Sequence, residues 1–541
     1  LDLPPGQSAE ASAFCSALLD TWQQQQKQQQ RFNVVLNSCL LVGHLAAKCS
    51  LLDQRQLLLP ACAWISQAAA AAATADTTDV DAGPSDQPVC LALPVLAAAR
   101  PGLLSAASAV DVVQALARLA SSSSSSSNSW IDSTAAAVAL AGIINKSLGV
   151  QNQQQRKGGT GADPTAAAGA AAGVQAGELL AAAIPILTQP LQQQQQGTDG
   201  TAAAAANAVK ASAWIARGLA QQRHNSWQDL MQKYILPALR LGTAVQEQPG
   251  STAAAAAVPS ELVWAAAHFF AVLVAPVQPQ AATASSSSSS SSSTVIDAFS
   301  LGHALSLHNM ARPLWQQKVF VLALHALQSA VASTAGVTVL EPHHQQQQQR
   351  QEQGLWLAVA SLVSAAPAAL AAAEQQHMLL LLQCVVHLAQ IWEAVSANSS
   401  SPAVTAAVGS EQQVVLLQLL HSCLLMLGDA LSSNGAAAEA ELGQHVELLL
   451  QTLCKLAQVQ PMNLSITNLQ QQQQHRRQTM QLAASLREVA VMCLTSCMSV
   501  PYHLLHPHRR SVLAAVMVAL DDDRRAVRKA AVACRGVWSS S

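Results

Sequence analysis

The chain has 541 residues, half of them apolar, yet only 11% are charged and 3% aromatic. A globular chain is ordinarily about a quarter charged, so this one is unusually neutral. With a net charge of −2, no global field draws it to nucleic acid or to a membrane surface.

Alanine inflates the apolar share without supplying much buried area, so the core must come from leucine, valine and the 10 tryptophans. The N-terminus reads LDLPPGQS, with no initiator methionine and no basic segment leading into an apolar one. No secretory leader is expected there, and the chain reads as part of a longer protein. Apolar stripes of period 3.6 then recur at Phe32–Lys48, Leu57–Gln67, Val209–Ala220, Trp227–Leu241 and Glu261–Leu273, and again at Pro313–Val331, His377–Val395, Gln412–Leu431, Gln444–Val459 and Thr479–Met498. Period-2 runs of β-branched and aromatic residues are nearly absent. Helices of this length, joined in pairs by polar turns, predict an all-α fold: an α-solenoid of HEAT/armadillo-like helical hairpins.

Low-complexity tracts punctuate the helices. Residues 1–120 read as helical repeats, 121–129 as a Ser-rich linker, and 130–541 as a C-terminal HEAT-repeat domain. Gln-, Ser- and Ala-rich insertions fall at 151–173, 192–206, 285–293, 345–353 and 470–474, with a further Gln run at 23–30. Such tracts bury too little area to offset the entropy of ordering them, so they are expected to be disordered surface loops. The longest uncharged apolar run, 355–373, is mostly Ala and Ser and contains Pro367. It is expected to be a buried solenoid helix rather than a membrane span.

The C-terminus, HPHRRSVLAAVMVALDDDRRAVRKAAVACRGVWSSS, carries the most information. Val512, Leu513, Val516 and Leu520 share one face of a first helix. Asp521–Asp523 then form a polar turn, where Asp522 or Asp523 can cap the next helix. In that helix Val527, Ala530, Cys534, Val537 and Trp538 form the apolar stripe, with Trp538 and Val537 expected to pack it on the preceding helix. Arg524, Arg528 and Arg535 form a separate basic stripe. An apolar helix, an Asp at the turn and a Val-Arg pair early in the second helix make a HEAT pattern, in which Asp522 and Arg528 are expected to form a ladder between repeats. Residues 503–541 hold 7 Lys and Arg against 3 Asp, a local charge of +4. That balance suits a partner with an acidic patch. The expected partner surface comprises Arg509, Arg510, Arg524, Arg525, Lys529 and Arg535, with Asp522, Val527, Arg528 and Trp538 as structural residues.

LDDDRRAVRKAAVACRGVW resembles the C-terminal signature of the MMS-nineteen family (Met-eighteen in yeast). AGIINK at 141–146 and RPLWQQKVFVLALHALQ at 312–328 resemble two further motifs of that family in the same order. The long Gln, Ser and Ala insertions depart from its pattern. The resemblance implies a HEAT-repeat scaffold: the large adaptor of the cytosolic iron–sulfur protein assembly targeting complex. Such an adaptor brings apo client enzymes of DNA repair, replication and transcription to a WD40-propeller subunit and a small carrier subunit. Cytoplasmic and nuclear localisation is the matching expectation. A generic HEAT scaffold, for nuclear transport or as a phosphatase scaffold, is the alternative.

Little in the sequence suggests chemistry. The 11 cysteines are scattered, with no CxxC, as expected of reduced thiols. Cys493 and Cys497 lie one helical turn apart on an apolar stripe and read as core thiols, too few for a cluster site. His503, His506 and His508 beside Tyr502 lack a thiol or carboxylate spaced to complete a zinc site, and read as a solvated turn. GGTGAD at 158–163 follows no strand and reads as a linker. No cofactor, no metal, no catalytic constellation, no direct nucleic-acid contact and no membrane role are expected.

Overall fold

The computed structural model describes residues 106–121, most of 136–148, 176–195, 202–221, 224–239, 261–274, 313–335, 342–370 apart from 368, 377–397, 410–433, 442–460 and 469–540, with a few single residues before 106. Every regular element among them is helical, and no strand occurs among the described residues. The chain divides into two compact units: Leu1–Ala238 with Ala275–Trp315, and Leu239–Val274 with Gln316–Ser541.

In the first unit the principal helices are α1 (Ala106–Ser121), α2 (Ala176–Gln195), α3 (Ala202–Gln221) and α4 (Ser226–Leu230), which continues as a π-helical turn over Met231–Ile235. α1, α2 and α3 pack mutually, and α4 packs on α3. Small side chains dominate this core: Ala205, Ala208, Ala213 and Ala216 in α3 are all fully buried, with Trp214 and Trp227 supplying the bulk. The AGIINK stretch is helical and buried over Ala141, Ile143 and Ile144, while its Asn-Lys end lies outside the described residues.

The second unit contains α5 (Glu261–Val274), α6 (Pro313–Ala335), α7 (Pro342–Ala365), α8 (His377–Ala397), α9 (Ser410–Ser433), α10 (Val446–Leu456), α11 (Leu469–Ser496), α12 (Arg509–Leu520) and α13 (Arg525–Ser540). The last six form three hairpins, α8 on α9, α10 on α11 and α12 on α13. Between hairpins α8 touches α10 and α10 touches α12, while α9 touches α11 and α11 touches α13. Each hairpin therefore contacts its neighbours through two parallel rows of helices, the defining arrangement of an α-solenoid. Upstream, α5 packs on α7, and α7 meets both α8 and α9.

The row α9–α11–α13 is stitched by side chains reaching back to the preceding helix. Cys493 Sγ donates to the Leu424 carbonyl at 3.2 Å, Ser499 Oγ to Leu431 at 3.0 Å, and the Trp538 indole N–H to Leu494 at 2.8 Å. Gly428 leaves room for Cys493, because a Cβ there would sit 3.0 Å from its Sγ. Ser485 and His421 add a 2.9 Å side-chain hydrogen bond between α11 and α9.

The stripes at Val209–Ala220 and from Glu261 onward all fall on described helices, whereas Phe32–Lys48 lies outside the described residues. Three of the insertions differ from expectation, while 23–30, 151–173 and 285–293 lie outside the described residues: 192–195 close α2 and 202–206 open α3. Residues 345–353 lie inside α7 and 470–474 open α11, so neither is a disordered loop. Glutamine is a good helix former, and an apolar helix immediately downstream lets the run join it without a new nucleus. Within α7, Gln353 is buried and burial raises the Glu352 carboxyl above its usual range. The run 355–373 does enter a buried helix, in which Leu357, Val359 and Val363 are fully enclosed. Three helical stretches, Met378–Ser396, Gln412–Ser433 and Arg476–Ser499, are long and apolar enough to cross a membrane by length and composition. Their apolar faces are instead engaged in packing between rows, with more than half of each stretch buried.

Candidate docking surface on the terminal repeat

The terminal hairpin is positioned by polar latches at both ends. At the α12–α13 turn, Asp522 accepts a fork from Arg487 of α11, with Nε at 2.6 Å from Oδ2 and Nη2 at 3.1 Å from Oδ1. Arg487 Nη1 donates to the Val459 carbonyl at 2.9 Å, in the turn after α10. Asp522 Oδ1 also accepts the Arg524 backbone N–H at 2.8 Å, an Asx turn leading into α13. Both side chains of the ion pair are about nine-tenths buried, at 10% and 8% exposed. Burial pushes the Asp522 carboxyl upward, but the Arg487 fork and the Arg524 amide outweigh it and hold the group below the usual carboxylate range.

At the far end, Arg509 reaches from the start of α12 to the last turn of α13. Its Nε donates to the Trp538 carbonyl at 3.0 Å and its Nη2 to Ser539 at 2.8 Å. These carbonyls have no intrahelical partner, so the guanidinium caps the helix C-terminus.

Asp522 bonds the Arg524 amide just ahead of α13 rather than an amide of the helix itself, and its ladder partner is Arg487 of the preceding hairpin rather than Arg528. Arg528 is exposed, and its Nη1 bonds the backbone carbonyls of Asp522 at 2.6 Å and Asp523 at 3.0 Å. Its charge still helps to hold the Asp522 carboxyl low, after the Arg487 fork and the Arg524 amide. The buried stripe of α13 is Val527, Ala531, Cys534 and Trp538, so Ala530 sits at the margin and Val537 is 37% exposed. Of the Val537–Trp538 pair, Trp538 is the enclosed one, bonded through its indole to α11. In α12 the buried set is Val512, Ala515, Val516 and Ala519, with Leu513 and Leu520 half-buried.

Among the six basic residues expected at a partner surface, Arg510, Arg524, Arg525, Lys529 and Arg535 are exposed on the terminal hairpin. Arg509 differs, being half-buried and engaged with α13. Exposed apolar side chains are interleaved with the basic ones: Met517 at 49%, Val518 at 56% and Val532 at 63%. Such a mixture of guanidinium groups and apolar area suits protein recognition better than a uniformly charged stripe would.

Sequence reading missed Arg487. The signal was present, because LREVAVMC at 486–493 aligns with VRKAAVAC at 527–534 and places Arg487 over Arg528. Leu486 and Val527, Ala490 and Ala531, and Cys493 and Cys534 are correspondingly buried.

Cys493 and Cys497 are core thiols, as their stripe predicts. Burial pushes Cys493 up to about 12, and Cys497 rises well above the usual thiol range for the same reason. Among the described residues, no three of His, Cys, Asp and Glu are arranged to hold a metal ion. His503 and His506 are exposed, and the His506 ring meets Tyr502 edge-on at 5.3 Å.

No protein-family profile matches the chain. A stretch of 55 residues is 40% identical to "MMS19 nucleotide excision repair protein homolog" of Arabidopsis thaliana, and one of 56 residues is 41% identical to the protein of the same name in Danio rerio. The likeness is local. Each match spans 10% of this chain and 5% of the relative. Among solved structures, the "Kap95:Nup1 complex" aligns with 99% of this chain and 66% of that chain at 12% identity. Its TM-score of 0.18 is too low to add to the fold described above.

Proposed function

We propose that this chain is part of a non-catalytic HEAT-repeat adaptor of the cytosolic iron–sulfur protein assembly targeting complex. In this reading it brings apo clients of DNA repair, replication and transcription to a propeller subunit and a small carrier, in cytoplasm and nucleus. The observation that carries the reading is the local identity of about two residues in five to the two MMS19 homologues. The stacked hairpins supply a scaffold, and the exposed face of α12 and α13 supplies a basic and apolar docking surface. No cofactor, catalytic role or direct nucleic-acid contact is proposed.

The test is co-expression of the chain with a WD40-propeller subunit and the small carrier, followed by size-exclusion chromatography. Co-elution of all three is expected, with loss of the complex when Arg525, Lys529 and Arg535 are all changed to Glu. Those side chains are exposed, so helix content should be unchanged. Failure of the intact chain to co-elute would overturn the adaptor reading and favour a HEAT scaffold serving other partners.

A further inference from the structure

α8 and α10 carry one repeat in sequence: LLQCVVHLAQI at 381–391 aligns with LLQTLCKLAQV at 449–459. α9 and α11 align likewise, LLQLLHSCL at 416–424 against LREVAVMCL at 486–494. Cys384 and Cys423 of the α8–α9 hairpin thus correspond to Thr452 and Cys493 of the α10–α11 hairpin. In α10–α11 both hydrogens go to backbone, Thr452 Oγ1 donating to the Leu448 carbonyl at 2.8 Å and Cys493 Sγ to Leu424 at 3.2 Å. In α8–α9 the two thiols instead hydrogen-bond each other across the hairpin, and both residues are fully enclosed.

The surroundings select the chemistry open to this pair. The bond to Cys423, and then burial, hold the Cys384 thiol well above the usual range. A thiolate, or a metal bound through thiolates, would place negative charge in an apolar core. A disulfide is uncharged and joins sulfurs already in hydrogen-bonding contact. Cys493 and Cys534 are committed otherwise, to the Leu424 carbonyl and to the Thr495 side chain.

We propose that Cys384 and Cys423 are a redox-sensitive staple: a reversible disulfide between them fixes α8 to α9 when small-molecule disulfides accumulate. Enclosure sets the order of events. The hairpin parts transiently before either sulfur can ionise or meet an oxidant. One cysteine thiolate then attacks glutathione disulfide, forming a mixed disulfide and releasing one glutathione thiolate. The second cysteine, deprotonated in turn, displaces the other glutathione. The protein loses two S–H bonds and gains one S–S bond. Glutathione disulfide is reduced to two thiols, which take up the two protons. Closure of the hairpin returns a neutral link to an apolar site and shields it from reductant. Because α9 bonds α11 through its Leu424 and Leu431 carbonyls, the staple fixes the row on which the terminal hairpins stack.

This inference does not rest on the adaptor reading. The full chain is equilibrated in glutathione buffers of rising disulfide content, alkylated, and mapped by mass spectrometry without reduction. The expected product is a linked Cys384–Cys423 peptide pair, two hydrogens lighter than its parts, that disappears with dithiothreitol. It should form more slowly than a mixed disulfide at the half-exposed Cys454, and faster in low urea, as a reaction gated by opening does. The oxidised chain should unfold at a higher urea concentration than the reduced one. Cys423→Ser should abolish both the link and that rise, and mapping of the wild-type chain decides the matter if the variant fails to fold. Thiols that stay fully alkylatable at every buffer ratio, low urea included, overturn the inference. So do mixed disulfides alone at Cys384 and Cys423, or links confined to Cys454, Cys493, Cys497 and Cys534.

Discussion

The α1–α3 cluster and the terminal hairpins reach the same all-helical outcome by different means. In α3 a run of alanines is buried side by side, and the hydroxyls of Ser121, Thr188 and Ser212 all donate to carbonyls of their own helices. Across α9, α11 and α13, by contrast, donors reach carbonyls 44 to 69 residues away in sequence. Alanine packing brings helices close but tolerates sliding, because one methyl resembles the next. A guanidinium fork or an indole N–H accepts one partner only, so the terminal rows are held in a single register.

That contrast can be broken from its strong side first. Trp538→Ala removes a fully buried ring and the Leu494 bond, and should lower stability by about 3–5 kcal/mol in chemical denaturation. Arg487→Met leaves Asp522 largely buried without its cation and should cost about 3 kcal/mol, approaching the loss for a broken buried pair. Gly428→Ala presses a methyl against Cys493 Sγ and should cost about 1–3 kcal/mol, with partial recovery in a Cys493→Ala background. The exposed Lys455–Glu393 pair, at 2.9 Å between α10 and α8, is the weakest link. Lys455→Met should change stability by less than about 1 kcal/mol, which would confirm that burial, not ion pairing itself, separates the two regions.

Protonation sharpens the same comparison. The folded-state carboxyl of Asp522 lies below its unfolded value, so its contribution is present above about pH 4 and is lost as pH falls through the folded value. Asp522→Asn should lower stability at neutral pH and flatten the acid limb of a pH–stability profile. His387, stacked on Trp356 at 4.9 Å, is lowered by burial to about 4. It stays neutral while the unfolded chain takes up a proton, so stability falls as pH drops from about 6.5 toward 4. His387→Phe should remove that part of the dependence.

The fold was legible because leucine and valine recur at helical spacing, and helix type depends on that spacing alone. The terminal turn was legible because three aspartates interrupt an apolar run. The partner of Asp522 was not. Periodicity assigns a residue to a face but says nothing of which helix lies opposite, so the nearby Arg528 seemed the natural choice over Arg487. Glutamine runs misled for a related reason, since composition reports solubility while helix propensity and an adjoining apolar helix decide conformation. For the candidate surface, exposure of Arg510, Arg524, Arg525, Lys529 and Arg535 follows from their place off the apolar stripe. The use of Arg509 as a cap required knowing that α12 and α13 run antiparallel.

Two of the latches on the last hairpin reach outside it, while the Arg509 cap stays within it. Asp522 is held by α11, and Trp538 anchors on an α11 carbonyl. During synthesis, then, this hairpin can lock only onto a neighbour that is already in place, so order propagates toward the C-terminus like a zipper. Breaking the two bonds to α11 frees the hairpin without melting either of its helices, so amide exchange there should report the strength of a junction rather than of a helix.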